Sequence, residues 1–111
     1  MAEIKKETRE KIQQMQLLEQ SAQQLHIQKQ QFQSQLYEIE AALKELKDKK
    51  TAYKLIGNIM VSLPVADLEK ELNEKKEILK LRNESIERQE SQIKEKAKKI
   101  QEEILKELKP A

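Results

Sequence analysis

From Met15 to Leu46 the chain repeats one set of positions in steps that alternate three and four. The set is Met15, Leu18, Ala22, Leu25, Lys29, Phe32, Leu36, Ile39, Leu43 and Leu46, and Lys29 is its one polar member. An α-helix returns to the same face at this interval, so the row is the seam of a coiled coil. The row extends backward through Lys11 and Thr8 to Ile4, and it predicts a helix over about 3–48. Lys47, Lys49 and Lys50 fall where that helix ends, with the charge that favours the negative end of its dipole. A second row repeats every seven residues through Val65, Leu72, Leu79, Ile86, Ile93 and Ile100 and predicts a helix over about 64–108. Pro64 suits its first turn because it has no N–H to leave unpaired. Asp67 and Glu69 add the favourable sign there. The intervening seam positions read as polar in the middle, at Lys75, Arg82 and Gln89, and as apolar again at Ala97 and Ile104.

Between the helices the pattern changes. Residues 52–64 read AYKLIGNIMVSLP, nearly free of charge and holding Gly57, the single glycine of the sequence. Gly57-Asn58 between two β-rich runs signals a hairpin over about 52–63, most simply with a type II′ turn and Gly57 at the positive-φ position. That turn sets Ile56 opposite Ile59, Leu55 opposite Met60, Lys54 opposite Val61 and Tyr53 opposite Ser62. One face then carries Ile56, Ile59 and Val61, and the other Tyr53, Leu55 and Met60. A lone two-stranded hairpin is marginal in water, and its edges leave backbone groups unpaired. Two helices cover one face at most, so the pattern predicts an oligomer.

Folding the chain back at the hairpin puts residues at equal height when their numbers sum to about 115. Leu43 then meets Leu72, Leu36 meets Leu79, Ala22 meets Ile93 and Met15 meets Ile100. Two ladders read separately come into step, which predicts an antiparallel helical hairpin with both termini at its tip. Ile12 and Leu17 lie outside the first helix's stripe, and Leu105 and Leu108 lie outside the main repeat of the second. Together with Ile4, Met15, Leu18, Ile93, Ile100 and Ile104 they should form an apolar patch at the tip. Such residues can bind a partner, pack on a neighbouring chain, or be scattered surface apolars of no consequence. Ile27, Ile78 and Leu81 form a weaker set midway.

Composition narrows the class. Charged residues make up 38% and aromatics 3% of the 111 residues, which disfavours a compact single-chain core and fits one helical unit over 1–111. The net charge is +2, with basic and acidic side chains interleaved, so no basic stripe points to nucleic acid. There is no cysteine to form a disulfide or a thiolate zinc site, which fits a reducing compartment. The opening MAEIKKETRE has no apolar signal core, and no run is long enough to span a bilayer. His26 is the single histidine, and one glycine cannot build a phosphate loop. The expectation is a non-enzymatic cytoplasmic protein without cofactor or metal. The eleven glutamines between Gln13 and Gln35 read as a solvated helix face, because the heptad through them is intact.

Two coiled-coil helices around a single central hairpin, with Tyr53-Lys54 shortly before Gly57-Asn58 and then Ile59-Met60-Val61, resemble the β-class subunits of prefoldin over essentially the whole chain. Arg88-Gln89-Glu90 resembles the family as well. The α-class subunits, usually longer and with two hairpins, resemble it less. The resemblance implies an all-α-dominated chain, a long antiparallel two-helix coiled coil whose central hairpin joins an oligomeric β-barrel. It implies a hexamer of two α-class and four β-class subunits, archaeal in type. It further implies ATP-independent capture of unfolded proteins at the tips and their delivery to a group II chaperonin. On that basis the assembly hairpin is Tyr53, Leu55, Ile56, Gly57, Ile59, Met60 and Val61. The client-binding tip is Ile4, Ile12, Met15, Leu17, Leu18, Ile93, Ile100, Ile104, Leu105 and Leu108.

The alternative is a coiled-coil spacer or tether in another complex, without client binding. A spacer should bury or lack the tip apolars, whereas a chaperone should expose them. Membrane-surface binding by an amphipathic helix is weakened by the balanced charge.

Overall fold

The heptad and the glycine-centred hairpin organise the computed structural model, which describes residues 4–108. Glu3 and the outermost residues of the 1–111 span lie outside the described residues, and of the expected helix over about 3–48, Ile4 and Lys5 are not helical. In chain order the elements are α1 (Lys6–Glu45), β1 (Thr51–Ile56), β2 (Ile59–Pro64) and α2 (Val65–Leu108). The two strands pair antiparallel in one sheet.

The first helix ends three residues short of the expected boundary. Its backbone bonds tighten after Glu45: the Lys47 N–H donates to the Lys44 carbonyl at 3.4 Å, and the Lys49 N–H to the Leu46 carbonyl at 3.2 Å. Between them Asp48 takes a φ of 64°, the left-handed turn that stops a helix and that aspartate tolerates better than most side chains. Pro64 closes β2, paired with Thr51, and α2 begins one residue later than its proline indicated. The ring is accommodated at the end of a strand, where no ladder bond requires its missing N–H. The Val65 N–H then donates to the Lys50 carbonyl at 3.2 Å and ties the hairpin's base to the helix start.

The residues group into two units. One contains the chain up to Lys29 and from Ser85 onward. In it, Thr8 bonds Glu107, Lys11 pairs with Glu103 and Glu107, and Lys29 pairs with Glu87 and Glu90. Rising numbers on α1 meet falling numbers on α2, so the segments run antiparallel, and the sum for Thr8 and Glu107 is 115, as the ladders require. Thr8 and Ile86 are its buried residues among those described. Met15, Leu18, Ala22, Leu25, Ile93, Ala97, Ile100 and Ile104 are half-buried along the seam.

The other unit is residues 30–84. Leu79, Val65 and Ala52 are buried in it, with Phe32, Leu36, Ile39, Leu43, Leu46, Leu68 and Leu72 half-buried. Lys76 reaches Glu40 at 3.5 Å. Two helices shield a seam from two sides only, which is why so few seam residues are fully buried.

The polar half of the α2 seam lies one residue beyond its expected place. Lys75, Arg82 and Gln89 are exposed, and Gln89 donates to Ser85 along its own helix at 3.3 Å. The half-buried column is Glu69, Lys76, Asn83, Glu90, Ala97 and Ile104. From Leu72 onward the seam steps four residues and then three, so Ala97 and Ile104 mark this column and Lys75, Arg82 and Gln89 do not. The shift matters chemically. It places Glu90 Oε1 3.4 Å from Lys29 Nζ, so the single polar residue of the α1 seam between Met15 and Leu46 meets an opposite charge.

Candidate functional site

The hairpin register is Ile56↔Ile59, Leu55↔Met60, Lys54↔Val61, Tyr53↔Ser62, Ala52↔Leu63 and Thr51↔Pro64. Alternation along the strands divides it into two faces. Ala52, Lys54, Ile56, Ile59, Val61 and Leu63 share one, and burial on it falls toward the turn: Ala52 is buried, Leu63 and Lys54 are half-buried, and Ile56 and Ile59 are exposed. Tyr53, Leu55 and Met60 share the other and are all exposed, Tyr53 by 66%. Gly57 has a φ of 61° whereas Asn58 does not have a positive one, which is the II′ pattern. A Cβ added at Gly57 would meet nothing within 4 Å, so glycine is required by the backbone angle and not by crowding.

Lys54 is held as well as half-buried. Its ammonium donates to Glu71 Oε1, which also lies 3.8 Å from Lys75. The hydrogen bond from Lys54, ahead of the attraction of Lys54 and Lys75, holds the Glu71 carboxyl below its usual range against the opposing effect of burial. This pair anchors the strand face to the second turn of α2. Glu71 and Lys75 are i,i+4 neighbours on α2, but Lys54 is distant in sequence, and only folding the hairpin onto α2 brings it there.

In the unit with both helix ends, the apolar residues sort into two layers. Met15, Leu18, Ile93, Ile100 and Ile104 form a half-buried floor. Ile4, Leu17, Leu105 and Leu108 are exposed, Leu17 by 62%. Ile12, expected off the stripe, is half-buried and belongs with the floor. Ile27, Ile78 and Leu81 are exposed, and so is Tyr37, which the heptad leaves on an outer face.

A polar cluster stands among these side chains. Thr8 Oγ1 donates to Glu107 Oε2 at 2.5 Å, and Lys11 donates to Glu107 Oε1 and lies 3.5 Å from Glu103. The bonds from Lys11 and then Thr8 lower the Glu107 carboxyl below its usual range, and the bond to Glu107 raises Lys11. Thr8 and Lys11 lie on the backward extension of the heptad, and the equal-height rule points from Thr8 to position 107.

Two grooves flank the seam in this unit. One, lined in part by Leu18, Ala22 and Ile93, is rimmed by Glu19, Glu90 and Lys94. The other, of about 410 Å³, is lined by Leu17, Leu18 and Ile100 with Lys96 and Lys99 at its edge. Among the described residues no group of three His, Cys, Asp or Glu side chains could hold a metal ion, and no helix is long and apolar enough to cross a membrane.

Comparison with known proteins matches residues 9–111 to the family described as prefoldin subunit. The prefoldin subunit beta of Archaeoglobus fulgidus is 34% identical over 99% of this chain and 97% of its own length. That of Pyrobaculum islandicum is 41% identical over 74% of this chain and 68% of its own. The crystal structure of the prefoldin beta subunit from Thermococcus strain KS-1 superposes with a TM-score of 0.91 at 32% identity and covers both chains completely. Two long helices joined by one antiparallel hairpin, the register around Gly57 and a match over nearly the whole length agree: this chain belongs to the prefoldin family and resembles its archaeal β subunits.

Proposed function

We propose that the chain is a subunit of a hexameric, ATP-independent chaperone that captures unfolded proteins and passes them to a group II chaperonin in the cytoplasm. Its partners are an α-class subunit and further copies of this β-type chain. The observation that carries the reading is the exposure of Ile4, Leu17, Leu105 and Leu108 in the unit that holds both helix ends. A spacer has no use for large apolar side chains held in water, whereas a holding chaperone needs them to meet the apolar surface that unfolded proteins share. Ile12, Met15, Leu18, Ile93, Ile100 and Ile104 supply the half-buried floor beneath them. Each contact is weak, worth roughly 25 cal/mol per Å² covered, and several arms engaging one client add through effective concentration. The methionine at position 15 suits varied partners, because its unbranched thioether repacks readily.

Assembly falls to the hairpin. Tyr53, Leu55 and Met60 on one face, and Ile56, Gly57, Ile59 and Val61 toward the turn on the other, are exposed in the isolated chain. A two-stranded hairpin that shows apolar residues on both faces is stable only when other chains cover them. Joined hairpins forming a β-barrel meet that requirement and also pair the strand edges.

The test is to purify the chain with and without an α-class subunit, then measure mass and suppression of aggregation of a denatured protein. Alone, the chain should be helical but heterogeneous in size. With the partner it should form one species that holds the client. A monodisperse monomer with no holding activity in either preparation would contradict the proposal.

A further inference from the structure

The two grooves beside the seam differ in charge. At the first, Lys94 is accompanied by Glu19 and Glu90. At the second, Lys96 and Lys99 stand over Leu17, Leu18 and Ile100, and the α1 side contributes Gln14 and Ser21 and no carboxylate. Neither lysine has an ion-pair partner among the described residues, and neither does Lys94 at the first groove, so the two grooves differ in the carboxylates that line them. Two exposed lysines therefore lie beside an apolar floor with no carboxylate among the residues lining the groove, although Glu95, Glu102 and Glu103 are within a helical turn of Lys99.

We infer that this second groove binds extended segments in which an apolar side chain lies within a few residues of carboxylates, so that the chain selects acidic–apolar stretches over basic–apolar ones. The inference rests on the client-binding reading and narrows it to one class of segment. An apolar side chain covers Leu18 and Ile100 and packs against Leu17. A neighbouring aspartate or glutamate meets Lys96 or Lys99, while Gln14 and Ser21 offer hydrogen bonds to an extended backbone whose own groups are unpaired. A lysine in place of the carboxylate would face two like charges.

Three fluorescent peptides of equal length and apolar content, carrying aspartate, serine or lysine at the flanking positions, decide the matter by anisotropy with the full chain in its oligomeric form. The acidic peptide should bind roughly three- to tenfold tighter than the neutral one, the gain of one or two exposed ion pairs, and the basic one more weakly. The double variant Lys96→Gln/Lys99→Gln should remove the preference, so that the three peptides bind alike. About 0.5 M salt should do the same to the wild type by shortening the range of the charges. Circular dichroism checks that the variant keeps its helices. Equal binding of the three peptides, or a preference that survives the double substitution, overturns the inference and leaves client binding standing. Failure of every peptide to bind overturns both.

Discussion

Thr8 Oγ1 lies 2.5 Å from Glu107 Oε2, a hydrogen bond that closes nearly the full length of the chain. Thr8 is only 2% exposed, so its hydroxyl is satisfied by this one carboxylate. Lys11 shares the same carboxylate, with Glu103 beside it. The cluster fastens the two helix ends next to the exposed Leu105 and Leu108.

Because Glu107 titrates below its usual range in the folded chain, its charged form stabilises the fold. That contribution is complete above the ordinary carboxylate pKa and fades as pH falls through it to the lowered folded value. Wild type should therefore melt above Glu107→Gln at neutral pH, and the gap should narrow as pH falls from the ordinary carboxylate range through the lowered folded value. Melting followed by circular dichroism across that range checks it. A gap that is constant with pH would show that Glu107 acts by packing alone.

Two seam atoms, Glu90 Oε1 and Asn83 Oδ1, are buried without a hydrogen-bond partner among the described residues, and Glu90 has Lys29 Nζ at 3.4 Å to offset this. Asn83 lies in the column that includes Lys76 and Glu90. Replacing Asn83 with Leu removes an unmet acceptor and should raise stability by about 1 kcal/mol. Leu79→Ala, at a buried seam position, should cost about 2–5 kcal/mol. Denaturant unfolding of the two variants and wild type would show the opposite signs. A destabilised Asn83→Leu would mean that the amide serves pairing in the assembly.

Much of this was legible in the residues. The strand register followed from Gly57-Asn58, because a two-residue turn leaves one way to align the strands. The antiparallel pairing followed from two ladders that agree only when folded back. What was not legible has a common cause. Lys75 and Lys76 are both lysines, Gln89 and Glu90 are both polar, and a column without apolar residues does not announce its phase. Asn83, Glu90 and Lys76 are half-buried through the geometry of neighbours. The early stop of α1 likewise depends on Asp48 taking a positive φ, a conformation aspartate permits without demanding.

Gly57 separates conformation from space. With its φ at 61° and nothing within 4 Å of an added Cβ, Gly57→Asn should keep the turn and Gly57→Val should lose it, since a β-branched residue adopts that angle poorly. Sedimentation of both with the α-class partner is the measurement. The asparagine variant should assemble and the valine variant should not. Ile59→Asp should also prevent assembly while leaving the helices formed, because it places an unpaired charge where other chains must cover the strand. Normal assembly of Gly57→Val and Ile59→Asp would sink the role assigned to the hairpin.

Client capture is tested most directly by changing Ile4, Leu17, Leu105 and Leu108 together to Ser or Gln. All four are exposed, so the buried residues Thr8 and Ile86 and the half-buried floor keep their packing. Equal numbers of changes at Gln23, Gln30, Glu74 and Lys80, also exposed and polar in the wild type, are the control. Both proteins should keep their helices and their oligomer. The quantity to measure is the concentration of complex needed to suppress aggregation of a denatured protein. It should rise at least about tenfold for the apolar set, since the proposed assembly repeats each lost contact on several arms, and remain at the wild-type value for the control. Equal suppression by both variants would contradict client capture at these residues and leave the chain a coiled-coil spacer.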